Sequence, residues 1–133
     1  MMDAGDLAAV PLFSDLSEDE LQHWSDLMRE ISLPDGAELI EEGDLSYKFF
    51  VLLEGSAEVE HSGRHLADLG PGDFFGEMGI LDKRRRNSEV LATSPVRLAV
   101  MAAWDLRSLM DDHPRVRYQI ERTATERAEQ LDS

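Results

Sequence analysis

The chain has 133 residues, 42% of them hydrophobic, and no cysteine; that is enough apolar material for one packed domain, and it excludes disulfides and thiolate metal sites. Twenty-eight acidic residues against thirteen basic ones leave a net charge of −15, a surface that repels duplex nucleic acid and anionic membranes. No apolar run reaches the roughly 20 residues of a membrane span, and Met1 to Asp6 lack the basic region of a secretory signal, so the reading is cytoplasmic, with neither nucleic acid nor membrane as partner.

Residues 3–10 are small and apolar with acids between them, the pattern of a short helix. Ser17 and Glu20 have capping-box spacing, with Leu16 and Leu21 placed as the hydrophobic staple. Leu21, Trp24, Leu27 and Met28 follow at helical spacing, which makes Trp24 a core anchor. From Arg29 the period drops to two. Ile31 and Leu33 alternate with Glu30 and Ser32 before a Pro34-Asp35-Gly36 turn. Leu39-Ile40 precedes a turn at Glu42-Gly43-Asp44, and Tyr47 to Leu53 is a dense apolar strand. Ala57, Val59 and His61 alternate with Ser56, Glu58 and Glu60; Ser62-Gly63-Arg64 reads as a hairpin loop, and the chain returns through His65 to Leu69. Gly70-Pro71-Gly72-Asp73 closes that series. Two more strands, from Ser88 to Thr93 and from Val96 to Met101, flank Ser94-Pro95. Trp104 to Met110 returns to helical period, His113-Pro114 breaks it, and a last helix runs from about Pro114 toward Leu131 with Val116, Ile120 and Ala124 on one face. Past Thr123 the apolar stripe thins.

Short strands separated by glycine turns indicate an antiparallel sandwich or jelly roll rather than a parallel sheet. The expected fold is therefore mainly β, an antiparallel β-jelly roll (a double-stranded β-helix) with flanking helices. It forms one domain over residues 1–133: N-terminal helices over about 3–28, jelly roll over about 29–102, C-terminal helices over about 103–131.

The densest chemistry lies in Phe74 to Asn87. A glycine and a carboxylate, Gly76 and Glu77, precede the apolar run Met78-Gly79-Ile80-Leu81, and Arg84-Arg85-Arg86 follows in a tight loop. Unpaired N–H groups at a helix start favour an anion, and glycine lets a ligand approach them closely. A guanidinium forks two donors onto phosphate oxygens, while a carboxylate accepts from hydroxyls. The combination suits a ligand that carries both a phosphate and a sugar hydroxyl.

Phe75-Gly76-Glu77-Met78-Gly79-Ile80-Leu81, followed by Arg86, Val90 and Ala92, resembles the phosphate-binding cassette of cyclic nucleotide-binding domains. The resemblance covers roughly Val10 to Ile120, with glycines in order at Gly43, Gly55, Gly70 and Gly72. It implies that Arg86, ten residues after Gly76 and four before Val90, binds the phosphate, with Asn87 and the N–H groups of Gly76, Met78 and Gly79 assisting. It implies that Glu77 accepts from the ribose 2′-hydroxyl. Val59, Ala67 and Leu69, on one face of the hairpin, match base-lining positions. The resemblance further implies a C-terminal lid helix, for which Val116 and Ile120 are the expected cap over the base. Arg85 replaces a frequent proline, and Glu89 replaces a threonine, serine or aromatic; on an alternating strand Glu89 faces away from Ser88 and Val90. With asparagine at position 87, guanine and adenine are not distinguished.

Catalysis is not expected. The histidines, His23, His61, His65 and His113, contain no His-x-His pair, so no metal centre is called, and no serine or cysteine nucleophile motif occurs. The expectation is a non-catalytic regulatory module that binds cyclic AMP, with cyclic GMP as the alternative ligand, and no cofactor. Its outlet would be a protein effector or a second copy of the chain. The rival is a domain of the same fold that has lost its ligand and serves protein interaction; the joint presence of Glu77 and Arg86 argues against it.

Overall fold

The structure, a computed structural model, describes residues 2–40, 48–77 and 88–132. Eight strands form two antiparallel four-stranded sheets: β1 (Arg29–Leu33), β2 (Glu38–Ile40), β3 (Lys48–Glu54), β4 (Ala57–His61), β5 (Arg64–Leu69), β6 (Phe74–Phe75), β7 (Glu89–Ala92) and β8 (Val96–Ala102). The first sheet runs β1-β8-β3-β6 and the second β2-β7-β4-β5. Ahead of them stand α1 (Ala4–Ala8), a 3-10 turn at Pro11–Phe13 and α2 (Glu18–Asp26); behind them come α3 (Ala103–Asp112) and α4 (Pro114–Asp132). This is the jelly-roll sandwich with flanking helices that the turn spacing indicates.

The apolar runs explain the layering. Phe49, Val51, Ala99 and Met101 of β3 and β8 face the helices, while Phe50, Leu52, Leu98 and Val100 face the other sheet. The first sheet is thus buried on both sides, which is why its central strands read as continuous apolar stretches. The second sheet alternates: Ala57 and Leu69 are buried with Val90 and Ala92, and the intervening Glu58 and Asp68 are not. Glu89 is half-exposed while Val90 is buried, as the alternation requires.

Three local features fix the ends and junctions of these elements. Ser17 accepts from the Glu20 N–H and Glu20 accepts from the Ser17 N–H at 2.8 Å, completing the capping box; the Ser17 contacts hold the Glu20 carboxyl below the usual carboxylate value. At the β3–β4 turn, Gly55 has φ +94, and a Cβ there would lie 2.3 Å from the Pro95 carbonyl oxygen. Only glycine lets the β3–β4 and β7–β8 turns approach this closely. Arg97 donates to Asp6, Glu30 and Glu54 at 2.8–3.0 Å, so it joins α1, β1 and β3; the Asp6 bond first, then those of Glu54 and Glu30, raise its pKa.

Candidate functional site

The start of the cassette is fixed by β6. Phe74 and Phe75 pair with Val51 and Phe50 of β3 and point to opposite faces. Phe75 stacks on Phe50 in the sandwich interior, centroids 4.9 Å apart and planes within 8°. Phe74 packs against Phe49 on the helix side, at 5.5 Å. Gly76, at φ +93, then turns the chain out of the strand, and Glu77 follows with only 1% of its surface exposed.

A carboxylate removed from water to that extent needs a charged or hydrogen-bonding partner. The partner comes from fifty residues away: Arg127, on α4, donates through Nη1 to Glu77 Oε1. The other arm, Nη2, donates to the Phe74 carbonyl at 2.8 Å. The guanidinium carbon lies 5.3 Å above the centre of the Phe74 ring, within cation–π range. One side chain thus joins the mouth of the cassette to the C-terminal helix.

The sequence reading did not single out Arg127. A signal for it existed, because positions 116, 120, 124 and 127 continue one helical face. The stripe therefore does not end at Thr123; it changes from apolar anchors to a charged one.

Val59 pairs with Ala67 and with Val90, and Ala57 pairs with Leu69, so Val59, Ala67 and Leu69 do share one face. It is the inner face of the second sheet, since Val90 and Leu69 are buried there. Val59 and Ala67 nevertheless remain half-exposed, leaving apolar surface accessible at that end of the sandwich.

Val116 and Ile120 are not with them. They are 3% and 0% exposed, packed in the core that contains Phe13, Trp24, Leu106 and Leu109. In this structure the first sheet lies between the two sets. The physical reason is that the apolar stripe of α4 finds a complete hydrophobic seat among the other helices. Arg86, Asn87, Met78 and Gly79 lie outside the described residues.

The break before α4 is built around His113. Its N–H donates to the Leu109 carbonyl, ending α3, and its Nε2 accepts from the Trp24 indole N–H at 2.9 Å. His61 and His65 flank the β4–β5 hairpin, as expected; His65 lies on its surface between Glu58 and Asp68, at 3.4 and 3.5 Å.

The comparisons with known proteins define the class to which this sandwich and its cassette mouth belong. Residues 30–113, more than half of the chain, match the family model of the cyclic nucleotide-binding domain; the chain belongs to that family. A cyclic nucleotide-gated potassium channel of Rhizobium etli is 33% identical over 121 residues, 91% of this chain and 34% of the channel. A cAMP-dependent protein kinase regulatory subunit of Schizosaccharomyces pombe is 31% identical over 94 residues, 70% of this chain and 23% of that subunit. The chain thus spans about a third or less of the curated relatives it matches. Among solved structures, cAMP-bound PfPKA-R superposes with a TM-score of 0.89 at 21% identity, over 97% of this chain and 45% of that one, which shows the shared fold. Among the described residues, no helix is long and apolar enough to cross a membrane.

Proposed function

We propose that the chain reversibly binds cyclic AMP as a non-catalytic regulatory module and signals through a change in the position of α4. Cyclic GMP is the comparison ligand. The observation that carries this reading is the bond between Glu77 and Arg127. The carboxylate assigned to the ribose is tied to the one helix that could report occupancy.

A carboxylate has two oxygens and about four acceptor positions. With Arg127 on Oε1, the second oxygen is the one we assign to the ribose 2′-hydroxyl. Arg86 forks onto the cyclic phosphate, aided by Asn87 and the N–H groups of Gly76, Met78 and Gly79, and Val59, Ala67 and Leu69 receive the base. Because Glu77 serves both ligand and helix, a nucleotide that reorients Glu77 changes the energy of the Arg127 contact. Such a differential contact is what a ligand needs in order to shift a conformational equilibrium. Val116 and Ile120 reach a base only if α4 leaves its present seat, so the movement assigned to the lid is a release and re-docking of that helix.

The relatives support the reading: one is a cyclic nucleotide-gated potassium channel and another is a cAMP-dependent protein kinase regulatory subunit. By analogy the outlet is a protein effector or a second copy of the chain. The test compares Arg86→Ala with Arg84→Ala by calorimetric titration. Removing one partner of a desolvated charge-assisted pair costs about 2–5 kcal/mol, whereas a rim charge mainly alters association rate. Loss confined to Arg86→Ala supports the assignment; equal losses at both positions contradict it.

A further inference from the structure

His113 sits in the break between α3 and α4, with φ −131 and ψ 89. Its side chain is 15% exposed and faces α2. The indole N–H of Trp24 is a donor only. Nε2 of His113, 2.9 Å away, must therefore be the unprotonated nitrogen. That fixes the neutral tautomer with the proton on Nδ1, which faces Glu20 Oε2 at 3.6 Å. The edge-to-face contact of the two rings, centroids 5.7 Å apart, completes the joint.

We infer that this Trp24–His113 bond is a proton-sensitive latch on α4, so that acidification frees the helix from its present seat and strengthens nucleotide binding. A second proton has only Nε2 to occupy, and there it would point at the Trp24 N–H, replacing an attraction with donor against donor. Glu20 opposes this by attracting an imidazolium. However, Nδ1 already carries its proton in the neutral form, so charging adds no new bond on that side. Glu20 is also 45% exposed and screened by water, whereas Trp24 is 2% exposed. Loss of the buried bond therefore outweighs the gain at the surface.

Both arginines at the start of α4 are otherwise engaged. Arg115 of α4 pairs with Asp15 at 2.7 Å, and Arg117 of α4 with Asp111 of α3 at 3.0 Å. Asp112 precedes His113 at the end of α3. His23, whose ring centroid lies 4.6 Å from that of Trp24, is the one other imidazole against that ring among the described residues.

The effect on ligand rests on the proposed role of α4, but the latch itself does not, so the two are tested separately. In ligand-free Trp104→Phe protein, where Trp24 is the remaining indole, fluorescence is followed from pH 8 to pH 5. A transition is expected that persists in His23→Gln and is abolished in His113→Gln, which keeps an acceptor but does not titrate. A transition unchanged in His113→Gln, or lost in His23→Gln, overturns the latch. In the second arm, calorimetry with cyclic AMP at pH 7.5 and pH 5.5 should give binding about fivefold tighter at the lower pH, the worth of one net hydrogen bond. The His113→Gln protein should show no such difference. If no cyclic AMP binds at either pH while the fluorescence transition follows His113, the ligand reading fails and the latch stands.

Discussion

Three residues carry consequences out of proportion to their size. Arg127 partners a carboxylate that is 1% exposed; removing one partner of a buried ion pair typically costs about 3–5 kcal/mol. Arg127 itself keeps 24% of its side-chain exposure, so Arg127→Ala should fall near the low end, about 3 kcal/mol, by urea unfolding. Adding Glu77→Gln should recover much of that loss, because the buried charge is then gone; additive losses would show that the two side chains are not coupled. Gly55 is the second case. At φ +94 and with a Cβ placed 2.3 Å from the Pro95 carbonyl oxygen, Gly55→Ala should destabilise by about 2–3 kcal/mol. Gly63, also at positive φ but with open space around its Cβ position, should cost less in the same assay. Glu77 is the third: Glu77→Gln keeps the hydrogen-bonding shape but removes the charge, and should weaken cyclic nucleotide binding by about 1–2 kcal/mol while leaving the phosphate contacts in place.

At the level of elements, α4 is the part whose behaviour decides the mechanism. It is held by Val116 and Ile120 in its first half and by Arg127 in its second. Beyond Ile120 no residue of α4 with a described side chain is fully buried, and few buried contacts mean low local stability. Hydrogen exchange over residues 116–127 should therefore change on addition of cyclic AMP, whereas β3, buried on both faces, should not. Unchanged exchange in α4 at saturating ligand removes the signalling half of the proposal. A chain ending at His113 should bind more weakly than the full one. Much of this element was legible in the sequence: Pro114 as its first residue, and the spacing of Val116, Ile120 and Ala124. Two things were not. Hydrophobic spacing specifies that a face is buried, not which core receives it. Nor does a single arginine among charged neighbours announce a partner fifty residues earlier.

For the molecule as a whole, the sandwich was readable because its signals are local: glycine and proline turns, period-two alternation in the second sheet, and apolar runs in the doubly covered first sheet. The cassette was readable because its residues are contiguous. What joins the layers was not, since the Arg97 cluster, the Trp24–His113 bond and the Glu77–Arg127 pair each link distant segments through a few polar side chains. The whole-molecule consequence of binding is stabilisation. Ligand at about 100 times its dissociation constant adds roughly 2.7 kcal/mol. At about 4 °C per kcal/mol for a chain of this size, the melting temperature should rise by roughly 10 °C.

The most direct test of the central claim is calorimetric titration of the full chain with cyclic AMP and cyclic GMP, repeated on Arg86→Ala. The account predicts saturable binding of cyclic AMP to one site per chain, and its loss in Arg86→Ala. Absence of heat and of any melting shift with either nucleotide at millimolar concentration would contradict it, and would leave a jelly roll of this family that serves protein interaction without a ligand.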